Sequence, residues 1–186
     1  MASAADGQRL FFALWPDDAL RHTLYKETRH AVRASGGKPV PAENLHITLA
    51  FLGHLNMDGA AAARVAADTT QGEPFELVLD RPGFWPDARV VWLAPARVPE
   101  AGSRFAADLR QALRARGIAV DFRPFLPHVT LARKVSKPGN PGSVHPIRWP
   151  VREFVLVHSL SSRRGSEYRP LASWPLRAPA AAAAEL

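Results

Sequence analysis

The chain of 186 residues contains no cysteine. That removes a thiol nucleophile, a disulfide framework and any thiolate zinc site, while leaving the redox compartment open. Its start, Met1-Ala2-Ser3-Ala4-Ala5-Asp6, lacks the basic segment followed by an apolar one that marks a secretory signal. The apolar runs are strand-sized, far short of the ~20 residues that span a bilayer, so a cytoplasmic protein is expected. Several catalytic signatures are missing too. There is no Gly-x-Ser-x-Gly elbow, no phosphate-binding P-loop, no Gly-x-Gly-x-x-Gly and no His-Glu-x-x-His. Acidic residues are in short supply, 17 against 24 lysines and arginines, for a net charge of +7. The excess suits a polyanionic or phosphate-bearing partner. Alanine, arginine and proline are all abundant, however, as GC-rich coding produces, so charge alone does not choose.

What the sequence does contain is a short string written twice: His46-Ile47-Thr48-Leu49-Ala50 and His128-Val129-Thr130-Leu131-Ala132. Both read as strands, and in a strand residues two apart share a face. Strict alternation puts His46, Thr48 and Ala50 on one side and Ile47, Leu49 and Phe51 on the other. His128 and Thr130 likewise oppose Val129 and Leu131. Each copy thus has an apolar back for the core and a front that carries an imidazole beside a hydroxyl. A lone histidine on a strand is usually structural, but two in matched contexts indicate catalysis. The contexts do match: the apolar stretches from Arg9 and from Arg89 are each followed by a helix and then by a motif, at nearly equal spacing. A duplicated strand–helix–strand unit predicts two similar lobes, each presenting one front.

The remaining elements follow from local signals. Pro16-Asp17-Asp18 opens a helix that runs to about residue 33, and Gly36-Gly37 stops it. Lys38-Pro39-Val40-Pro41 reads as an extended loop, and Gly53 as the close of the first motif strand. Asn56 or Asp58 caps an alanine-rich helix to about residue 70. A strand over 75–80 is then ended by a turn at Arg81-Pro82-Gly83. The helix over 99–116 is the clearest, with Phe105, Leu109 and Leu113 at i+4 spacing. Residues 136–146 read as a mobile loop. A strand over 151–160, a turn at Arg163-Arg164-Gly165 and a return strand over 168–176 make a hairpin. Residues 1–178 are expected to form one bilobal domain, and the alanine-rich 179–186 a disordered tail. With strands outnumbering helices, α+β with antiparallel pairing is favoured over a doubly wound sheet.

The extended motifs carry a family likeness. Arg9-Leu10-Phe11-Phe12-Ala13-Leu14, Asn44-Leu45-His46-Ile47-Thr48-Leu49-Ala50-Phe51-Leu52-Gly53 and Pro127-His128-Val129-Thr130-Leu131-Ala132-Arg133 resemble the 2H phosphoesterases. Among these the chain is most similar to the RNA 2′,3′-cyclic phosphodiesterase branch, also called bacterial 2′-5′ RNA ligase. The likeness continues through Ser159 and Tyr168, although His158 stands where the branch carries an acidic residue. It implies two pseudo-symmetric lobes of mainly antiparallel sheet with outer helices, and a central cleft carrying both His-x-Thr strands. It also implies opening of a 2′,3′-cyclic phosphate at an RNA end to a 2′-phosphate, with 2′-5′ ligation as related chemistry. The roles it implies are His46 as proton donor and His128 as proton acceptor. Sequence symmetry alone leaves those two interchangeable.

The chemistry fits the residue types. A histidine with a free pKa near ~6.5 can act as acid or base at neutral pH. Thr48 and Thr130 can donate to non-bridging phosphate oxygens as negative charge builds there. With both functions supplied by side chains, neither metal nor cofactor is expected. Arg133 is the arginine that the branch places after the second motif, as a phosphate fork. Five residues beyond His128, it points away from the site in a regular strand, so a bulge or a strand end must intervene. Phe51 holds the equivalent place in the first copy, for core packing or for stacking on a base. Lys134 and Lys137 extend a basic rim, or are merely solvated. His22, His30, His54 and His145 lack motif context and read as surface or structural residues. The expected partners are RNA ends or nucleotides with a 2′,3′-cyclic phosphate, bound by a monomer without a membrane. Two other readings stand beside this one: a sister phosphodiesterase on a small substrate such as ADP-ribose cyclic phosphate, and an RNA-binding module without catalysis.

Overall fold

The two motif copies meet at one rung of an antiparallel sheet, and the rest of the fold builds outward from that rung. The computed structural model describes residues 7–121, 123–136, 142–162 and 165–177. Its strands are β1 (Gln8–Leu14), β2 (Lys38–Pro39), β3 (Ile47–Leu55), β4 (Phe75–Trp85), β5 (Val90–Pro95), β6 (Val129–Arg133), β7 (Ile147–Val151), β8 (Glu153–Ser162) and β9 (Gly165–Pro175). Three helices, α1 (Asp18–Ala34), α2 (Met57–Thr69) and α3 (Glu100–Ala115), separate some of them. The sheet order is β7-β4-β5-β6-β3-β1-β8-β9, with β2 added to the edge of β6. Every pairing is antiparallel.

That order divides into two halves of four strands. In one, β1 leads through α1 to β3, which pairs back on β1. In the other, β5 leads through α3 to β6, which pairs back on β5. The halves join where Ile47 of β3 pairs with Val129 of β6. The expected α+β architecture with duplicated antiparallel halves is the one that forms.

One face of the sheet is the core. Ile47, Leu49, Val129 and Leu131 lie in a single cluster with Phe12, Leu77, Leu79, Val91 and Leu93. Leu24 and Ala31 of α1, Ala63 and Ala66 of α2, and Phe105, Leu109 and Leu113 of α3 join it, so the helices cover this face. Each such Leu or Phe contributes about 1.5–3 kcal/mol on burial, and this cluster spans both halves. Local chemistry starts the helices. The Asp17 carboxylate accepts the Leu20 N–H at 2.8 Å and caps α1, and Asn56 accepts the Gly59 N–H at 2.9 Å at α2.

Several local expectations are corrected. The segment Arg81-Pro82-Gly83 is not a turn but the middle of β4, paired with Ala94, Leu93 and Trp92 of β5. The irregularity there is a bulge at Asp80, whose carboxylate accepts the Ala96 N–H at 2.8 Å. Gly83 is needed because the Trp92 ring lies against its backbone, where a Cβ would collide with it. Residues 147–151 form β7, an extra edge strand on β4. Ile147, Trp149 and Val151 face inward while Arg148 and Pro150 face out, and an edge position tolerates a proline without an N–H. Lys38-Pro39, read as loop, pairs with Arg133 and Ala132. β3 continues past Gly53 to Leu55.

The turn residues Arg163 and Arg164, the rim residue Lys137, Phe122 on the approach to the second motif, part of the loop over 136–146 and the tail 179–186 lie outside the described residues. No helix among the described residues is long and apolar enough to cross a membrane.

Candidate active site

Because Ile47 and Val129 are partners with both side chains in the core, their neighbours along each strand face the opposite way. Extending that register by one residue sets His46 opposite Thr130 and Thr48 opposite His128. The four candidate side chains therefore share the face away from the helices, around a local two-fold axis.

Both imidazoles are oriented in the same manner. Nδ1 of His46 lies 2.7 Å from the Asn44 carbonyl, and Nδ1 of His128 lies 2.8 Å from the Leu126 carbonyl. A carbonyl only accepts, so each Nδ1 carries the hydrogen, and each neutral ring keeps Nε2 free of one. Nε2 of His46 is 3.1 Å from the Thr48 hydroxyl.

Each ring also has an aromatic setting. His46 is stacked on Trp15 at 5.7 Å, lies 5.0 Å from Phe11, and meets Tyr168 edge-on at 5.2 Å. His128 meets Trp85 edge-on at 4.5 Å. Few waters reach a ring enclosed this way, so the charged form is disfavoured. Burial pushes His46 down from its ordinary value to about 4, against the raising effect of the Asn44 carbonyl, and the charges of Arg133 and His128 lower it further. Burial also lowers His128, opposed by the Leu126 carbonyl and reinforced by Arg133.

Arg133 reaches this face through a bulge. On β6, Thr130 pairs with Trp92 and Ala132 with the next residue, Val91, so Leu131 is one residue in excess. The alternation slips there: Ala132 turns into the core, and Arg133 turns to the front, where it lines a cleft with His46 and Thr130. The bulge that strand parity demanded is present. β3 carries its counterpart, since Thr48 pairs with Ala13 and Ala50 with Phe12, leaving Leu49 in excess. Ala50 is consequently in the core, and Phe51 stands on the front, 64% exposed and 6.0 Å from Phe11. Strict alternation had placed Ala50 in front and Phe51 behind. That expectation, and with it a core role for Phe51, is corrected. The fifth residue after each histidine is displayed by the same device, as an arginine in one half and a phenylalanine in the other.

Sequence reasoning missed the ring-packing residues Trp15, Phe11 and Trp85. Phe11 had a usable signal, because it shares parity with Ala13 on a strand whose other face, Leu10 and Phe12, is core. Asn44 opens the first motif string, two residues before His46. Its side chain is buried and donates to the Ser166 carbonyl at 2.8 Å while its own carbonyl holds His46. It thus ties the start of β9 to the first imidazole. His22, His30, His54 and His145 are exposed. Of the rim lysines, Lys134 lines the cleft. Among the described residues, no three histidine, aspartate or glutamate side chains are grouped as metal ligands.

Comparison with known proteins agrees with this fold. The family model described as the 2′-5′ RNA ligase superfamily matches residues 16–163. The RNA 2′,3′-cyclic phosphodiesterase of Escherichia coli (strain K12) is 34% identical over 178 residues, covering 92% of this chain and 98% of that protein. The RNA 2′,3′-cyclic phosphodiesterase of Thermus thermophilus is 33% identical, covering 91% of this chain and 90% of that one. The crystal structure of E. coli LigT complexed with 3′-AMP superposes with a TM-score of 0.83 at 34% identity, over 92% of this chain and 99% of that one. With duplicated halves, paired His-x-Thr strands and a family model covering most of its length, the chain belongs to the 2′-5′ RNA ligase superfamily.

Proposed function

We propose that the protein is a hydrolase that opens RNA 2′,3′-cyclic phosphates to 2′-phosphates by two-histidine acid–base catalysis. The observation that carries this reading is the shared face. Two imidazoles with Nε2 available, two threonine hydroxyls and one guanidinium converge from β3 and β6. His128 Nε2 takes a proton from water as its oxygen attacks phosphorus. The P–O3′ bond breaks, and His46 Nε2–H protonates the departing O3′. Thr48, Thr130 and Arg133 stabilise charge on the non-bridging oxygens. His46 is held neutral in the free protein, so the proton it donates must move onto it as substrate binds, when the anionic phosphate favours imidazolium in a poorly hydrated pocket. Phe51, exposed beside Phe11, is the surface on which a base stacks. Residues 1–178 act as one catalytic unit, monomeric and cytoplasmic. Ligation of RNA ends through a 2′-5′ bond would be the same chemistry run toward bond formation.

The deciding experiment is turnover of a nucleoside 2′,3′-cyclic phosphate by purified protein, with the position of the product phosphate read by NMR. A 2′-phosphate is expected, whereas binding without turnover would identify a non-catalytic RNA module. Preference for ADP-ribose cyclic phosphate over every RNA end would identify the sister activity. Because side chains supply both acid and base, hydrolysis should persist in excess EDTA. Activity that vanishes there and returns with a divalent metal would sink the mechanism.

Arg133→Ala is expected to lower kcat/KM by about 10–100-fold, the cost of losing charge-assisted bonds to phosphate. Arg133→Lys should recover only part, because an ammonium cannot grip two oxygens in one plane. Unchanged kinetics in both variants would place the guanidinium outside the reaction.

A further inference from the structure

Beyond the reacting centre, the cleft beside His46 continues into space that a single cyclic phosphate does not fill. The whole cleft, His46 and Thr130 included, holds about 280 Å³, and on this side it is lined by Lys38, Val40, Pro41, Arg133, Lys134 and Tyr168. Its size approaches the ~300 Å³ at which small-molecule sites begin. Two ammonium groups flank the guanidinium there, and among the described residues none of the three forms an ion pair with a carboxylate.

The backbone that presents these cations is held from several sides. Lys134 has φ 58, in the left-handed region that non-glycine residues seldom occupy. Such a conformation persists only where its surroundings impose it, and it is concentrated at ligand clamps. Here Arg89 imposes it, with its Nε–H donating to the Val135 carbonyl at 3.1 Å and its own carbonyl accepting the Val135 N–H at 3.1 Å. On the other side, Lys38 pairs with Arg133 in the β2–β6 ladder. Gly37 lets the chains approach, since a Cβ there would collide with Val135 and the Arg133 carbonyl.

We infer that Lys38 and Lys134 form a second phosphate subsite, which takes the internucleotide phosphate on the 5′ side of the cyclic end. The protein then prefers an RNA chain over a mononucleotide. This rests on the proposed reaction at His46 and His128 but is tested separately from it.

The test compares the affinity of a 2′-phosphorylated mononucleotide with that of a trinucleotide ending in the same 2′-phosphate, by calorimetry over a salt series. Turnover of a cyclic mononucleotide is measured alongside. The trinucleotide should bind about tenfold more tightly at low salt, with an advantage that shrinks as salt rises. In the Lys38→Gln/Lys134→Asn variant the ratio of the two affinities should fall toward one; asparagine is chosen because it tolerates the left-handed conformation. A wild-type ratio near one, or a ratio that survives in the variant, overturns the subsite, whatever the turnover. A lysine-dependent ratio without turnover supports the subsite and removes the hydrolase reading instead.

Discussion

Alanine in place of either His46 or His128 is expected to lower turnover of a nucleoside 2′,3′-cyclic phosphate by about 10²–10⁴-fold, the range for a positioned acid or base. The two variants should separate by leaving group. A ribose alkoxide leaves poorly and needs a proton, while a nitrophenolate leaves without one. On a nitrophenyl phosphodiester that the site accepts, His46→Ala should recover most of its rate and His128→Ala should stay slow, because water still needs a base. The electrostatics make this a sharp test. Burial depresses His46 to about 4, so a proton entering the free protein goes to His128 first. The assigned roles require that proton to move to His46 as phosphate binds. Rescue of His128→Ala instead would reverse the roles and keep the mechanism. Equal behaviour of both variants on both substrates, with folding confirmed by circular dichroism, would remove the acid–base division.

The site was legible in the sequence wherever it depended on residue type and strand parity. Paired His-x-Thr strings with apolar backs were enough to place four side chains on one face, and the duplication was enough to join two halves. Parity failed one turn of the pattern later, at Leu49 and Leu131. A bulge is a pairing mismatch between two strands, so a single strand read alone carries no sign of it. Arg133 gave it away indirectly, because the side chain expected to grip phosphate pointed the wrong way. Phe51 gave no such warning, since a phenylalanine suits core and surface stacking equally. Turn chemistry misled at residues 81–83 for a related reason. Proline and glycine there serve a twisted strand beside a bulge and the close approach of Trp92, which only the partner strand reveals. The strand β7 was hidden by Pro150, whose meaning depends on an edge position that topology alone supplies. The aromatic enclosure of His46 draws on Phe11 and Trp15, about thirty residues before it, and on Tyr168 of β9, far beyond it in sequence.

That enclosure leads to the second large effect, a strongly acid-shifted pH profile. In-line hydrolysis by two imidazoles requires one shared proton, present on the acid and absent from the base. The dependence of kcat/KM on pH reports the free protein, and the singly protonated form is most abundant between the two macroscopic pKa values of the pair. Both histidines lie below the ordinary 6.5, His46 at about 4. The optimum of kcat/KM should therefore lie below pH 6.5 and fall tenfold per unit above it, more than tenfold by pH 8. Stability runs the other way on the acid side. The unfolded chain binds a proton at His46 near 6.5 that the folded chain refuses until about 4, so folding loses stability as pH drops through that window. Thermal unfolding measured from pH 4 to 7 should show this slope, and His46→Asn should flatten it. That control separates the acid limb of catalysis from loss of fold. Arg133 lowers both imidazoles, so Arg133→Ala should move the alkaline limb upward as well as reduce the rate. A kcat/KM that stays level through pH 8 would mean that neither ring is desolvated in the working protein, and the aromatic enclosure would then have no part in the chemistry.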